Sequence, residues 1–308
     1  MKIAVLHQHV PDDALPDERD VLDEATCVAR ALESLGHTVE IWPCTLDLIA
    51  LEKRLPSVDL FFNLVETLGG TGRLIHLVPG VLEARGATFT GNSSTALMLT
   101  GNKPLTKRVL AGAGVPVAPA FHAGRYIVKP AWEDASLGID DEAVVDSLAE
   151  AEARVSSLGP GFFAEAYIPG REINVALIES PDGPQVLPIA EIVFDGDWSA
   201  KPRIVGYACK WEPDSFEYKN TRRIFPPDEG ALFDRIRAIA RDCWRALELE
   251  GYVRVDLRVT EDGQPFVLEI NANPGIAPDS GFAGSLEAAG IRYEDAVARL
   301  VAGAMRRR

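Results

Sequence analysis

The sequence predicts an α/β protein, α+β taken as a whole, with an open and mainly parallel α/β layer at its N-terminus and two mixed segments after it. Three observations carry this. In the first third, short apolar runs alternate with a helical pattern, the β-α-β rhythm of an open sheet. In the middle, two strand-like runs flank Pro169-Gly170. Near the end, RVDLRVTEDGQPFVLEINANPG (254–275) alternates with a period of two, as a β-hairpin does.

Composition sets the bounds. The 308 residues leave room for two or three domains. We divide them at 1–98, 99–180 and 181–308. A hydrophobic content of 47% with 25% charged residues is an ordinary globular mix. The net charge of −15 argues against a nucleic-acid partner, which needs clustered Lys and Arg. There is no apolar run of about 18 residues, so no membrane span is expected. MKIAVLHQHV reads as a first strand, not a signal peptide. Cys27, Cys44, Cys209 and Cys243 are widely spaced, without C-x-x-C, and read as reduced thiols of a cytoplasmic protein. Arg306, Arg307 and Arg308 read as a solvated tail.

Taken in order, residues 2–6 form an apolar strand. Residues 25–35 have helical spacing, with Val28, Ala31, Leu32 and Leu35 on one face and Gly36 as the cap. The stretch between them, HQHVPDDALPDERD, reads as a long acidic loop. Acids there are either solvated or select a cationic substrate group. HTVEIW and DLFFNLVE are strands. Gly69, Gly70 and Gly72 follow, as a plain turn or a phosphate cradle. A helix through 81–84 and a strand ATFTG close this layer. In open α/β sheets ligands sit at the carboxyl ends of the strands, here His7-Gln8-His9 and 63–72.

A helix at 104–111 comes next, with Asn102-Lys103 before it. The apolar strand 126–130 carries Lys129 at its end, either snorkelling or poised for a phosphate. FFAEAYIPGREINVALI gives two strands around Pro169-Gly170. Residues 187–194 are a strand, and GALFDRIRAIARDCWRALEL is an amphipathic helix with Leu232, Ile236, Ile239, Cys243, Trp244 and Leu247 on one face.

In the C-terminal hairpin, Asp262-Gly263 predicts a two-residue type I′ turn that pairs Glu261 with Gln264. Counting outward places Asp256 opposite Glu269 and Arg254 opposite Asn271. Two opposed carboxylates repel. Either Arg254 and Arg258 neutralise them on a surface hairpin, or a hard cation such as Mg²⁺ sits between them. The spacing D-x(12)-E-x-N, with Pro274-Gly275 close behind, favours the cation and adds Asn271 as a third ligand.

This stretch resembles the metal-binding end of ATP-grasp ligases, specifically the D-alanine–D-alanine ligase family. The likeness continues through GIAPDSGF and SLEAAGIRYEDAVARLV and covers nearly the whole chain. It implies an ATP-grasp fold, in which the N-terminal open parallel α/β domain is followed by central and C-terminal ATP-grasp subdomains. It implies ATP and two Mg²⁺ ions, for which Mn²⁺ could substitute, on Asp256, Glu269 and Asn271. Lys103 and Lys129 fall where the family contacts nucleotide phosphates, under a loop that includes Ser136. Glu165, Ala166, Tyr167 and Ile168 match its adenine hinge, and Glu172 its ribose contact. Lys210 matches the lysine on the transferred phosphoryl group. Arg254 and the Gly275 N–H are implied to stabilise an oxyanion, and Ser280 to bind the carboxylate of the second amino acid.

The substrate residues depart from the family. A Glu that holds the first ammonium has its nearest counterpart in Glu18, with Asp17 beside it. A loop Ser is replaced by Ala135, a Tyr after the loop lysine by Trp211, and a His-Gly pair by Val65-Glu66. The expectation is an ATP-dependent carboxylate–amine ligase that forms an amide through an acyl phosphate, with a substrate other than D-alanine. Alternatives are a true D-alanine–D-alanine ligase of cell-wall synthesis, a cyclising ligase of antibiotic biosynthesis (D-cycloserine type), and a non-catalytic nucleotide-binding protein. The expected partners are amino acids, ATP and a second copy in a homodimer, with no nucleic acid or membrane.

Overall fold

The computed structural model describes residues 1–133 and 136–307. Its first sheet has the order β2-β1-β3, all parallel, from β1 (Lys2–Gln8), β2 (Thr38–Cys44) and β3 (Leu60–Asn63). Alternation along β1 sends Ile3 and Val5 to one face and Ala4 and Leu6 to the other, and both faces are buried. Helix α1 (Pro16–Ser34) covers the first face, and α2 (Leu48–Arg54) and α3 (Leu77–Ala84) cover the second. Helix α1 begins well inside the segment read as a loop. The strand expected at ATFTG is reduced to one bridge, Phe61 with Phe89.

Helices α4 (Ser94–Gly101) and α5 (Lys103–Gly112) lead to a small antiparallel sheet of order β5-β4-β6. Its strands are β4 (Tyr126–Pro130), β5 (Val144–Val145) and β6 (Phe162–Ala166), with α6 (Leu148–Leu158) packed on them. The two runs around Pro169-Gly170 do not pair with each other. β7 (Arg171–Ile178) leaves for a third, antiparallel sheet, β10-β9-β7-β11-β12 with β8 (Gln185–Val186) on β7. Gly170 makes that crossing: its φ is +128°, and a Cβ there would lie 2.0 Å from Val259 O.

The third sheet holds β9 (Ala190–Phe194), β10 (Thr221–Ile224), β11 (Tyr252–Val259) and β12 (Pro265–Asn271). Between β9 and β10 run the short helices α7 (Ala208–Trp211) and α8 (Phe216–Lys219), and α9 (Ala231–Ala246) follows. Val253, Val255, Leu257 and Val259 of β11 are buried against α9. Each contributes roughly 1.5–3 kcal/mol of burial. A directly opposed pair of like charges costs under about 1 kcal/mol. The apolar face therefore sets the register even though it stacks Asp256 against Glu269. Helices α10 (Gly281–Ala288) and α11 (Tyr293–Arg306) fold back onto α1 and the first sheet. Arg307 is not a solvated tail: it pairs with Glu179 and Glu250.

The hairpin turn differs from expectation in an instructive way. Thr260 pairs with Gln264, and Gly263 N–H closes onto Thr260 O at 2.9 Å with φ of +77°. This is a three-residue loop with Gly in the left-handed position, not a two-residue turn. The shorter register it imposes, Leu257 with Val267, is shifted back by one residue at Leu268, so that Asp256 still faces Glu269 and Arg254 still faces Asn271. A β-bulge thus cancels the error in the turn. It also carries the core-facing side of β12 from Val267 to Ile270, and it turns Leu268 towards Ala166 and Ile168.

Candidate active site

A cavity of about 750 Å³ opens where the three sheets meet. Its floor is the polar face of the third sheet, and the register orders that face like a grid. Arg254, Asp256 and Arg258 run along β11. Opposite them on β7 stand Ala176, Asn174 and Glu172, and on β12 stand Asn271, Glu269 and Phe266. Every sequence-predicted site residue among the described ones lines this cavity, from Glu18 at one end to Ile168 at the other. Ala135 lies outside the described residues.

The centre of the grid is strongly ionic. Arg254 donates to both oxygens of Asp256, at 2.8 and 2.9 Å, and Asn174 donates to Asp256 Oδ1 at 2.8 Å. Lys103 Nζ is 3.5 Å from Glu269 Oε2 and donates to Glu133 O at 2.7 Å. Burial alone would raise the Glu269 carboxyl, but Lys103, Lys129, Lys210 and Arg254 around it hold it down at about 2. Asn271 Oδ1 accepts the N–H of Asn273 at 2.9 Å and keeps a second lone pair. Asp256, Glu269 and Asn271 present oxygen only, which suits a hard divalent cation, and the surrounding cations suit a phosphate chain. Among the described residues no cluster of three His, Cys, Asp or Glu side chains offers another metal site.

Lys129 ends β4, 4% exposed, with Nζ 2.7 Å from Glu165 Oε1. Burial lowers its amine to about 8, Glu269 acts against that fall, and Lys103 adds to it. Lys107, one helical turn after Lys103, pairs with the other oxygen of Glu165 and is also pulled down by burial and then by Lys129. The sequence reading missed Lys107, although its i,i+4 spacing from Lys103 was a signal. At the far end Ala166, Tyr167, Ile168 and Leu268 give an apolar slot. Leu268 could not be found from sequence, because only the bulge turns it inward.

The lid is seated. Ser136 donates its hydroxyl to Val205 O at 2.7 Å, and Tyr207 N–H donates to Ile139 O at 3.1 Å. Lys210 and Trp211, in α7, project into the cavity beyond that contact. Lys210 stands in the field of Arg254, Glu269, Asp256 and Glu172.

The other end of the cavity is built from loops and helix termini. Ser280 caps α10 by accepting Ala283 N–H at 3.1 Å and keeps its own proton for a ligand. Gly275 sits on a turn held from below: Ile276 N–H donates to buried Glu24 at 2.6 Å, and Asn273 donates to Val65 O at 3.1 Å. Glu18 lies in the first turn of α1, where one oxygen accepts Leu15 N–H at 3.0 Å. Asp20, Glu66, Asp279 and Arg223 also line this end, and the site reading missed them as contacts. Burial raises the Asp20 carboxyl, and Asp279 and Asp23 raise it further.

Residues 124–302 match the family described as D-ala D-ala ligase C-terminus. The protein y4sG of Sinorhizobium fredii is 32% identical over 306 residues, covering 92% of this chain and 88% of that protein. A D-alanine–D-alanine ligase of Gloeobacter violaceus is 30% identical over 305 residues, covering 92% and 94%. Two crystal structures of the Bacillus anthracis D-alanine–D-alanine ligase are similar over 99% of this chain and 98% of theirs. The one in complex with ATP has a TM-score of 0.73 at 21% identity, and the other has 0.77 at 19%. That likeness shows a shared fold. The match over more than half of the sequence, together with relatives at 30% identity or above, shows that the chain belongs to the D-alanine–D-alanine ligase family of ATP-grasp ligases.

Proposed function

We propose that this protein joins the carboxylate of one amino acid to an amine, at the expense of ATP, and that its amino acid is not D-alanine. The ionic grid supports the first half. A carboxylate is a poor electrophile and must be phosphorylated before an amine can attack it. Asp256, Glu269 and Asn271 would hold Mg²⁺, which when bound neutralises charge on phosphate oxygens. Lys103, Lys129 and Lys210 add fixed positive charge along the phosphate path, with Ser136 in the covering loop. Glu165, Ala166, Tyr167 and Ile168 line the adenine slot, and Glu172 meets the ribose. Arg254 and the Gly275 N–H face the oxyanion formed when the amine attacks the acyl phosphate. Ser280 takes a carboxylate. The three segments 1–98, 99–180 and 181–308 would close around the substrates, and the protein would act in the cytoplasm as a homodimer. Among the described residues no helix is long and apolar enough to cross a membrane.

The observation that carries the second half is the charged lining at the amino-acid end. Asp20, Glu66, Asp279 and Arg223 line the same cavity as Trp211. The methyl side chain of alanine makes no polar contact with such a lining, whereas a polar or charged side chain would gain hydrogen bonds or ion pairs there. Glu18 faces the same end and is the expected contact for the first ammonium.

The test is ADP release with Mg²⁺-ATP over a panel of D- and L-amino acids, singly and in pairs, with products read by mass. The expected outcome is release and an amide product with a polar or charged amino acid, and little with D-alanine alone. Rapid formation of D-alanyl-D-alanine would overturn the substrate half and leave the ligase half standing.

A further inference from the structure

Arg258 is 3% exposed at the nucleotide end of β11. A guanidinium carries five N–H donors and keeps its charge, so burying it requires a matching set of acceptors. They come from two separate parts of the chain, the 170–172 stretch and Arg203. Nη2 donates to Glu172 Oε2 at 2.7 Å and also to Arg203 O, and Nη1 donates to Gly170 O at 3.2 Å. The rings of Tyr167 and Phe194 stand 5.8 and 5.9 Å from its Cζ. Gly170 belongs to the hinge and Glu172 to β7. Arg203 opens the segment that is seated on the phosphate loop through Val205 and Tyr207.

The sheet register puts Arg258 directly across from Glu172, so the pair is fixed by strand pairing and not by chance side-chain reach. Only one oxygen of Glu172 is used. Among the described residues, Oε1 has no hydrogen-bond partner, and Glu172 lines the cavity beside Tyr167. Burial pushes the Glu172 carboxyl up, with Arg258 acting against it. Lys210 is the other cation in its field. Without Arg258 the carboxylate would turn towards Lys210 or take up a proton. Either change removes an oriented acceptor and disturbs the lysine expected at the reacting phosphoryl group.

We propose that Arg258 is a positioning residue for the nucleotide: with its guanidinium fixed by the Gly170 and Arg203 carbonyls, it clamps Glu172 Oε2 and so presents Glu172 Oε1 to the ribose hydroxyls. The inference rests on the reading of Glu172 as the ribose contact. Its target is the sugar and not the base or the phosphates, so the signature is discrimination between ribose and deoxyribose.

Isothermal titration of Mg²⁺-ATP and Mg²⁺-2′-deoxy-ATP into wild type, Arg258→Met, Arg258→Lys and Glu172→Gln tests it, and needs no knowledge of the amino acid. Wild type is expected to prefer ATP by about tenfold, the worth of a hydrogen bond to a charged group. Arg258→Met and Glu172→Gln should bring the two nucleotides to within about twofold of each other, mainly by weakening ATP. Arg258→Lys should fall between, because one ammonium cannot span the three acceptors. A preserved ratio in Arg258→Met overturns the proposal. So does an equal loss for both nucleotides, which marks Arg258 as structural only. If Arg258→Met does not fold, a folded Arg258→Lys with an undiminished ratio overturns it as well. Wild type without any preference would instead remove the ribose reading of Glu172, and the inference with it.

Discussion

The two ends of the cavity are made differently. At the nucleotide end the ionic grid stands on three adjacent strands, with Lys103 of α5 and Lys129 of β4 set against it, and the grid's spacing is dictated by backbone pairing: Glu172 to Arg258, Asn174 to Asp256, Asp256 to Glu269. At the amino-acid end most of the side chains stand on the first turn of α1, on the loop after β3, on α7 and on the cap of α10, with only Arg223 coming from a strand, β10. Sheet register cannot drift without turning the apolar face of β11 into solvent, so the nucleotide end is locked to the fold. Loops and caps change side chains without that penalty. Of the departures from the family pattern noted at the outset, Glu18, Glu66 and Trp211 line the second end. This is the arrangement expected of a site that keeps its energy source and changes its substrate.

The largest expected effect strikes the shared chemistry. Asp256→Asn keeps the shape of the grid and removes half of its opposed acid pair. ADP release should fall by about 10²-fold or more, as when an electrostatic stabiliser is removed from an active site. Arg254 would also lose its bidentate partner. Activity within a few-fold of wild type would place the cation elsewhere and break the comparison.

A pH effect should distinguish the two ends next. The Lys129 amine, lowered to about 8 by burial, is partly neutral at pH 8 and charged at pH 6. An arriving phosphate favours the charged form and raises the amine again. Nucleotide binding should therefore take up protons at pH 8 and almost none at pH 6. Calorimetry in two buffers of different ionisation enthalpy reads this directly. Lys129→Met should abolish the uptake, whereas substitutions at the amino-acid end should leave it in place.

The smallest effect sharpens the substrate end. Glu18 accepts Leu15 N–H in the first turn of α1, and glutamine can still accept there. Glu18→Gln should change stability by less than about 1 kcal/mol in thermal melts. If Glu18 is the ammonium contact, the KM for the amino acid should rise in Glu18→Gln. If Asp20 does that work, Asp20→Asn should raise KM and Glu18→Gln should not. In neither variant should the affinity for ATP move.

Much of this was legible in the chain. Period-two alternation identified β11 and β12, and apolar spacing identified the buried face of α9. Lys129 stood out because it closes an apolar strand, whereas Lys103, which opens α5, was found through the family likeness. What stayed hidden shares one cause, dependence on partners distant in sequence. Lys107 has meaning only against Glu165, and Arg258 only against Glu172 and Gly170. The strand expected at ATFTG has one bridge because both of its backbone bonds, Phe61 N–H to Thr88 O and Thr90 N–H to Phe61 O, go to a single residue of β3. The long acidic loop hid the start of α1, since the acids that read as solvated also suit a helix N-terminus.

By itself the sequence determined most of the strands, the apolar face of each and the spacing of Asp256, Glu269 and Asn271, because these follow from local periodicity, while the roles of the lysines came from the family likeness. The sequence placed Asp256 opposite Glu269 through a turn that the chain does not make. The three-residue loop at Gly263 and the bulge at Leu268 reach the same register by another path. Only the tertiary structure decided which sheet β7 joins, that Leu268 enters the apolar slot beside Ala166 and Ile168, and that Arg258 and Glu172 stand face to face. Those outcomes depend on how three sheets bury their apolar faces against one another, and no stretch of one strand carries that information.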